Sequence, residues 1–217
     1  MREKVLQLVR AEIISGQSLP GAMYSVPTLA ADLGVSTTPV REALLELARN
    51  GLVDPMRNRG FKVTATTLED LRNLFDVREL VEVRAAEILA NRHEKSLDGL
   101  RSLADDIRYA VAADDISEYL AADRNFHYAF IDAAGNALLT EMAMSLRDKM
   151  RLYGIASRAG RERQADSVRE HFRLIELAAA GDAKSIKPLV RKHIRTWEPI
   201  FIEAVENSGR QPLQSRF

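Results

Sequence analysis

The sequence predicts a mainly α-helical protein in which a winged helix-turn-helix precedes an all-helical antiparallel bundle of roughly six helices. Two observations predict this fold class. Helically spaced apolar residues in the first part of the chain are followed by two short β-prone runs, and from Leu68 onward long helical patterns replace them. We therefore expect a winged domain over residues 1–66, a helical domain over 67–208 and a polar tail over 209–217.

The N-terminal pattern predicts three helices and a hairpin. A helical pattern over residues 2–15 ends at Gly16, a short helix over Leu29 to Leu33 stops at Gly34, and Thr38-Pro39 opens a third helix that ends at Asn50-Gly51. The runs LVDPM and GFKVTA flank the turn-forming RNRG, as in a β-hairpin. The two short helices joined by GVST indicate a helix-turn-helix, and the hairpin would form its wing.

The rest of the chain predicts a helical bundle. Breaks at NRHEKS, AAD, AGN, RAG and AGD supply turn residues and N-caps between helices. The helices are expected at residues 68–92, 96–112, 115–134, 137–158, 162–180 and 183–207.

The composition limits the class of protein. It is 46% hydrophobic and 29% charged, and no apolar run approaches about 18 residues, so we expect a globular protein without a membrane span. The start lacks the apolar block of a secretory signal and the chain has no cysteine, which predicts a cytoplasmic protein without disulfides or thiolate metal sites. The 31 basic and 31 acidic residues cancel, so bulk charge does not indicate nucleic acid.

The predicted third helix begins with side chains suited to DNA. The second helix of a helix-turn-helix enters the major groove with its first turn. That turn carries Ser36, Thr37, Thr38 and Arg41, and the hairpin adds Arg57, Arg59 and Lys62. The alternative is that the hydroxyls only cap the helix and that Arg41 pairs with a nearby glutamate.

The string SVPTLAADLGVSTTPVREALLELARNGLV, followed by RGFKV, resembles the winged helix-turn-helix of GntR-type bacterial transcription regulators over nearly all of residues 1–65. The resemblance implies double-stranded operator DNA as the partner of this surface, with Arg59 and Gly60 at the wing tip. Two departures stand out. Thr37 replaces a common arginine and Pro27 a frequently charged residue, so we expect a different base preference.

Four metal-binding side chains lie on apolar helical stripes. Asp123 and His127 stand one turn apart in DRNFHYAF, and His171 and His193 lie on stripes of two other predicted helices. One core histidine is usually a satisfied structural residue, but if the helices pack together the set suits zinc, with nickel or manganese as alternatives. His93, in a polar turn, lies on no such stripe.

The motif DRNFH, followed by AAGNALL, EHFRLIELAAAGD and RKHI, resembles the FadR C-terminal-like ligand-binding domain (FCD) over about residues 68–205. The resemblance implies that Asp123, His127, His171 and His193 bind a divalent metal. Such a set leaves open positions for water or a small carboxylate effector.

A cationic side chain near the metal would orient such an effector. Arg78 is the first candidate because it lies on a core stripe, although pairing with Glu82 or Asp123 is the alternative. Arg147 and Asn136 are further candidates. The alternative for Arg147 is that its side chain extends to water, and the alternative for Asn136 is that it caps the N-terminus of its helix.

Together these patterns predict a DNA-binding regulator that a small organic acid controls through the metal site. DNA geometry and the family resemblance imply that it is a homodimer, and the resemblance implies that it is a repressor. A regulator that senses the metal itself is one alternative. A metal-dependent hydrolase is another, but no second carboxylate is placed as a general base, so we expect no enzyme.

Overall fold

The computed structural model describes residues 1–92, 97–150 and 154–208, with the side chains of Asn207 and Ser208 left aside. His93 and the predicted tail over 209–217 therefore lie outside the described residues. No helix in the described ranges combines the length and the apolar character that a membrane crossing requires.

The N-terminal part contains three helices and a three-stranded antiparallel sheet. Its elements are α1 (Arg2–Ile14), β1 (Met23–Tyr24), α2 (Val26–Asp32), α3 (Thr37–Arg49), β2 (Val53–Met56) and β3 (Gly60–Val63), with strand order β1-β3-β2. The predicted hairpin is confirmed, with Val53 opposite Val63. The added strand β1 was not predicted, since its two residues pair with Phe61 and Lys62 from far along the chain.

The helix-turn-helix has clear local causes. The Ser25 hydroxyl accepts the Thr28 N–H and Pro27 lies in the first turn, so α2 begins at Val26, three residues before the predicted start. Gly34, with a φ of +64°, makes the turn that leads to α3. The apolar face of α3 is fully buried and leaves the opposite face of this helix in water.

The C-terminal part contains seven helices in the described residues, one more than the roughly six that the sequence predicts. They are α4 (Leu68–Asn91), α5 (Asp98–Ala112), α6 (Ile116–Asp132), α7 (Ala137–Lys149), α8 (Arg158–Ala179), α9 (Ala183–Arg195) and α10 (Glu198–Ser208). The helix expected over 183–207 is broken at residues 196–197. Pro199 favours a new start here, because it lies in the first turn of α10, where proline is well tolerated.

Two further boundaries differ from the prediction. Helix α7 ends at Lys149, whereas the prediction continued it to residue 158. Residues 151–153 of the predicted helix lie outside the described residues. Helix α8 begins at Arg158 rather than at 162, because Ser157 caps it by accepting the Gly160 N–H.

The buried apolar side chains form two clusters, one in each part of the chain. The smaller joins α1, α2, α3 and the sheet, and the larger fills the bundle. Leu120 of α6 packs against both clusters, so it links the two cores. The expected division at residue 66 stays a prediction.

Candidate metal centre and nucleic-acid interface

Three histidines converge in the middle of the bundle. His127 comes from α6, His171 from α8 and His193 from α9, and all three are buried. The Nε2 atom of His127 lies 3.2 Å from Nε2 of His171 and 3.3 Å from Nε2 of His193. Phe126 packs against the rings of His127 and His171 and restricts their orientation.

Asp123 lies one turn before His127 and faces the same centre. Its Oδ1 atom is 3.6 Å from Nε2 of His127 and 3.5 Å from Nε2 of His171. Burial alone would raise the pKa of Asp123, but His127, Arg147 and His171 together hold it well below its ordinary value. The side chain is therefore a carboxylate at neutral pH.

The three imidazoles are neutral at neutral pH. Burial, reinforced by Arg147, lowers the pKa of His127 to about 4. Burial and the neighbouring histidines lower the pKa of His171 well below its usual range, and burial also lowers the pKa of His193. Neutral imidazole is the form that binds metal ions.

Glu170 fixes the orientation of His193. Its Oε2 atom lies 2.9 Å from Nδ1 of His193, so Nδ1–H donates to the carboxylate and the Nε2 lone pair points to the centre. Arg163 donates to Glu170 at 2.5 Å and to the backbone carbonyl of His193 at 3.0 Å. The Nδ1 atom of His171 is buried without a hydrogen-bond partner in the described part of the chain.

This geometry fits a divalent transition metal. Two imidazole nitrogens that each lie about 2.1 Å from one ion stand about 3.0–3.4 Å apart in octahedral or tetrahedral arrangements, and the two measured separations of 3.2 and 3.3 Å agree. Neutral imidazole nitrogens that face one another, together with a carboxylate, offer electron pairs that a bound cation would accept. The structure thus brings together the three predicted histidine ligands, and the fourth predicted ligand, Asp123, lies beside two of them.

The predicted effector residues have other partners as well. The Nε atom of Arg78 donates to Glu82 at 2.8 Å, which is the alternative considered for this arginine. Arg147 donates to Glu82 at 2.9 Å and to Asp123 at 2.8 Å. Asn136 caps α7 by accepting the Leu139 N–H. Its assignment to the effector site has no support from this geometry.

A cavity of about 120 Å³ opens beside the cluster. Asp123, His193, Arg78, Arg147 and Tyr119 contribute to its wall, whereas Asn136 is absent from the described lining. One water requires about 10–15 Å³ of such space, so the cavity has room for several waters or a small organic molecule. Burial and the nearby Asp123 raise the pKa of Tyr119, which keeps its hydroxyl protonated.

Sequence reasoning missed the supporting residues Glu170, Arg163 and Tyr119. A signal was present for two of them, because Arg163 and Glu170 stand seven apart on the buried side of α8. Buried polar side chains at that spacing indicate a network rather than a solvent face. Tyr119 lies one turn before Asp123, but its pattern is that of an ordinary core residue.

The predicted DNA-facing residues of α3 are free to meet a partner. Ser36 occupies the N-cap position without a side-chain capping hydrogen bond, and Thr37, Thr38 and Arg41 are exposed. Within the described ranges, Arg41 forms no ion pair, so its suggested pairing with a glutamate is not seen. The first turn of α3 presents hydroxyls, a guanidinium and backbone N–H groups to solvent.

The wing tip is a tight turn between β2 and β3. Arg57 and Arg59 are exposed there, on either side of Asn58, which has a φ of +58°. Gly60 follows with a φ of +106°, and a Cβ atom on it would lie 2.2 Å from the carbonyl oxygen of Tyr24. Glycine is therefore required for β1 to pair with β3 and so to position the wing.

A winged helix-turn-helix fused to a helical bundle with a ligand-sized cavity is the architecture of a two-part DNA-binding regulator. Residues 1–63 match the model for bacterial regulatory proteins of the gntR family, and residues 73–196 match the FCD domain. The chain belongs to the GntR family of transcriptional regulators and carries an FCD domain. It is a transcription regulator and not an enzyme, so the hydrolase hypothesis is set aside.

Relatives cover most of this chain. The regulator BphR of Paraburkholderia xenovorans (strain LB400), described as uncharacterized, is 30% identical, and the match covers 89% of this chain and 82% of BphR. A probable D-xylose utilization operon transcriptional repressor of Paenarthrobacter nicotinovorans is 27% identical, with 90% and 86% covered.

Solved structures have the same fold. McbR/YncC of E. coli superposes with a TM-score of 0.77 at 20% identity, covering 96% of this chain and 98% of the other. A putative GntR regulator from Rhodococcus sp. RHA1 gives a TM-score of 0.72 at 25% identity, covering 94% and 98%.

Proposed function

We propose that this regulator binds a divalent transition metal, most simply zinc, through Asp123, His127, His171 and His193, and that a small organic acid completes the metal site and changes operator affinity. The observation that carries the proposal is the convergence of three buried imidazole nitrogens beside a cavity, with the Asp123 carboxylate next to two of them. When bound, the metal would supply an electrophile for a carboxylate oxygen. Nickel and manganese suit the same donors.

The protein itself would orient the acid. Arg147 and Arg78 line the cavity next to Asp123, and together with Glu82 they form a buried array of two cations and two anions. A bound metal adds positive charge to this balanced array. The cavity then favours an anion, which we take to be the effector.

The proposed DNA contacts are based on the exposed first turn of α3 and on the exposed wing. We propose that Ser36, Thr37, Thr38 and Arg41 contact the major groove, with Arg57, Arg59 and Gly60 at an adjacent groove or the backbone. Two winged units on a near-palindromic operator require a homodimer. One relative is named as a repressor, which supports the same sign of regulation here.

The test asks whether the metal or the organic acid is the signal that changes operator affinity. The operator is a duplex selected by the protein from random DNA, and its affinity is measured with metal-free protein, with zinc alone, and with zinc plus a panel of small carboxylates. The proposal expects one class of carboxylate to change operator affinity at fixed zinc, by roughly the 5–150-fold typical of allosteric coupling. A response to zinc alone, unchanged by any acid, would make the protein a metal sensor.

A further inference from the structure

The cavity beside the metal cluster extends to the N-terminal part of the chain. Its wall includes Gln7, Arg10, Ala11 and Ile14 of α1 in addition to the bundle residues. The helix that supports the DNA-binding core therefore forms one side of the same space into which Asp123 and His193 open.

A cluster of charges stands at this second wall. Arg124 of α6 donates to both oxygens of Asp148, at 3.1 and 3.0 Å, and Arg10 of α1 forms an ion pair with the same carboxylate. Asp148 is the only ion-pair partner of Arg10 among the described residues. Two guanidinium groups thus share one carboxylate, and this leaves an excess of positive charge that Glu3, which forms no ion pair with Arg10 in the described part of the chain, offsets only weakly.

That excess charge is poorly hydrated. Arg10 is only 8% exposed, and burial lowers its pKa although Asp148 opposes the shift. A buried cation with incomplete compensation favours an added anion. Arg10 and Arg124 both face the cavity, so an anion inside it can meet them.

We propose that the effector is a dicarboxylate that spans the cavity, with one carboxylate at the metal end and the other bound by Arg10 and Arg124. The inference rests on the proposed metal-bound carboxylate and adds the class of ligand and two specificity-determining residues. Since Arg10 belongs to α1, the second carboxylate also connects the effector to the DNA-binding part. A monocarboxylate would fill only the metal end.

The experiment measures the binding of a diacid series to zinc-loaded full-length protein by titration calorimetry. Malonate, succinate, glutarate and adipate sample the span of the cavity, and butyrate matches succinate in chain length with one carboxylate fewer. We expect the best diacid to bind at least about tenfold more tightly than butyrate, the increment of one charge-assisted contact. Arg10→Gln should remove this advantage and leave butyrate binding unchanged.

Two further variants test whether the effect of Arg10→Gln comes from a lost ligand contact or from a folding defect. Arg124→Gln changes a side chain that is 35% exposed and should also lower diacid affinity selectively. Arg108→Gln changes an exposed arginine outside the described cavity lining and should alter neither ligand.

The outcomes separate the two proposals. Equal binding of diacids and butyrate, or equal losses of both in Arg10→Gln and Arg124→Gln, would overturn the dicarboxylate inference and leave a metal-bound acid in place. Binding of no acid to the zinc-loaded protein would overturn both.

Discussion

Glu170 determines which nitrogen of His193 faces the proposed metal site. The carboxylate accepts the Nδ1–H of His193 and is itself held by Arg163. Glu170→Gln keeps the size of the side chain but removes the charge that supports the imidazole. We expect zinc affinity to fall by about 10–100-fold, the usual effect of losing such a partner, measured by competition with a chromophoric chelator.

The matched control for this prediction is Glu176→Gln on the same helix, an exposed glutamate that pairs with Arg173. It should bind zinc as the wild type does. Unchanged zinc affinity in Glu170→Gln would show that the four ligands hold the metal without this support.

Glu82 should make the free energy of unfolding depend on pH. Burial alone would raise the pKa of Glu82, but Arg78 and Arg147 lower it from 4.5 to about 2. A carboxyl group with a lower pKa in the folded state stabilises the fold fully above its unfolded pKa and loses this contribution as pH falls towards the folded value. The loss therefore falls between pH 4.5 and about 2.

Glu82→Gln tests this dependence in metal-free protein. At neutral pH the variant should be less stable by roughly 3 kcal/mol, because two buried arginines lose a partner. The difference in free energy of unfolding, measured with urea, should shrink as pH falls from 4.5 to about 2. Glu162→Gln, at an exposed position, should behave as wild type at each pH. A constant difference down to pH 2 would mean that Glu82 is not the titrating group.

At the scale of elements, the first turn of α3 carries the most specific expectation. Arg41 is exposed and, in the described residues, free of ion pairs. Arg41→Ala should weaken binding to the selected operator by about tenfold or more, the loss of one good base or phosphate contact. Thermal unfolding and zinc content should stay unchanged. These are measured by fluorescence anisotropy, circular dichroism and metal analysis.

Arg49→Ala provides the control, because Arg49 is exposed at the other end of α3. It should retain more operator affinity than Arg41→Ala. A loss of folding in Arg41→Ala, or equal effects of the two changes, would mean that Arg41 supports the helix or contributes only general charge.

The sequence predicted those elements whose causes are local. The first turn of α3 and the stripes carrying Asp123, His127, His171 and His193 follow from spacing along single helices. Strand β1 could not be predicted in this way, because its two residues are ordered by pairing with β3. The partners of Arg147 likewise come from α4 and α6, so spacing on α7 alone could not reveal them.

At the scale of the whole molecule, Leu120 connects the two parts of the chain. It packs against the apolar clusters of both parts, close to the ion pair between Arg10 and Asp148. Coupling between an effector and DNA requires that the two parts respond to each other. An apolar contact shared by both cores supplies such a link, and it lies at the wall of the cavity.

Leu120→Ala should therefore separate the unfolding of the two parts. Trp197 is the single tryptophan and packs in the bundle, so its fluorescence reports the bundle alone, whereas circular dichroism reports all the helices. In the wild type the two thermal transitions should coincide. In the variant, circular dichroism should begin to change at a lower temperature than Trp197 fluorescence, because the N-terminal part loses contact energy of order 2 kcal/mol.

Leu138→Ala is the matched control, since Leu138 is 66% exposed. Its two transitions should coincide as in the wild type, and zinc should raise both together. In Leu120→Ala, zinc should raise the fluorescence transition more than the early dichroism change, because the proposed metal ligands all lie in the bundle. Coincident transitions in Leu120→Ala, shifted equally by zinc, would mean that the two parts are coupled by other contacts, with the Arg10–Asp148 ion pair the next to remove.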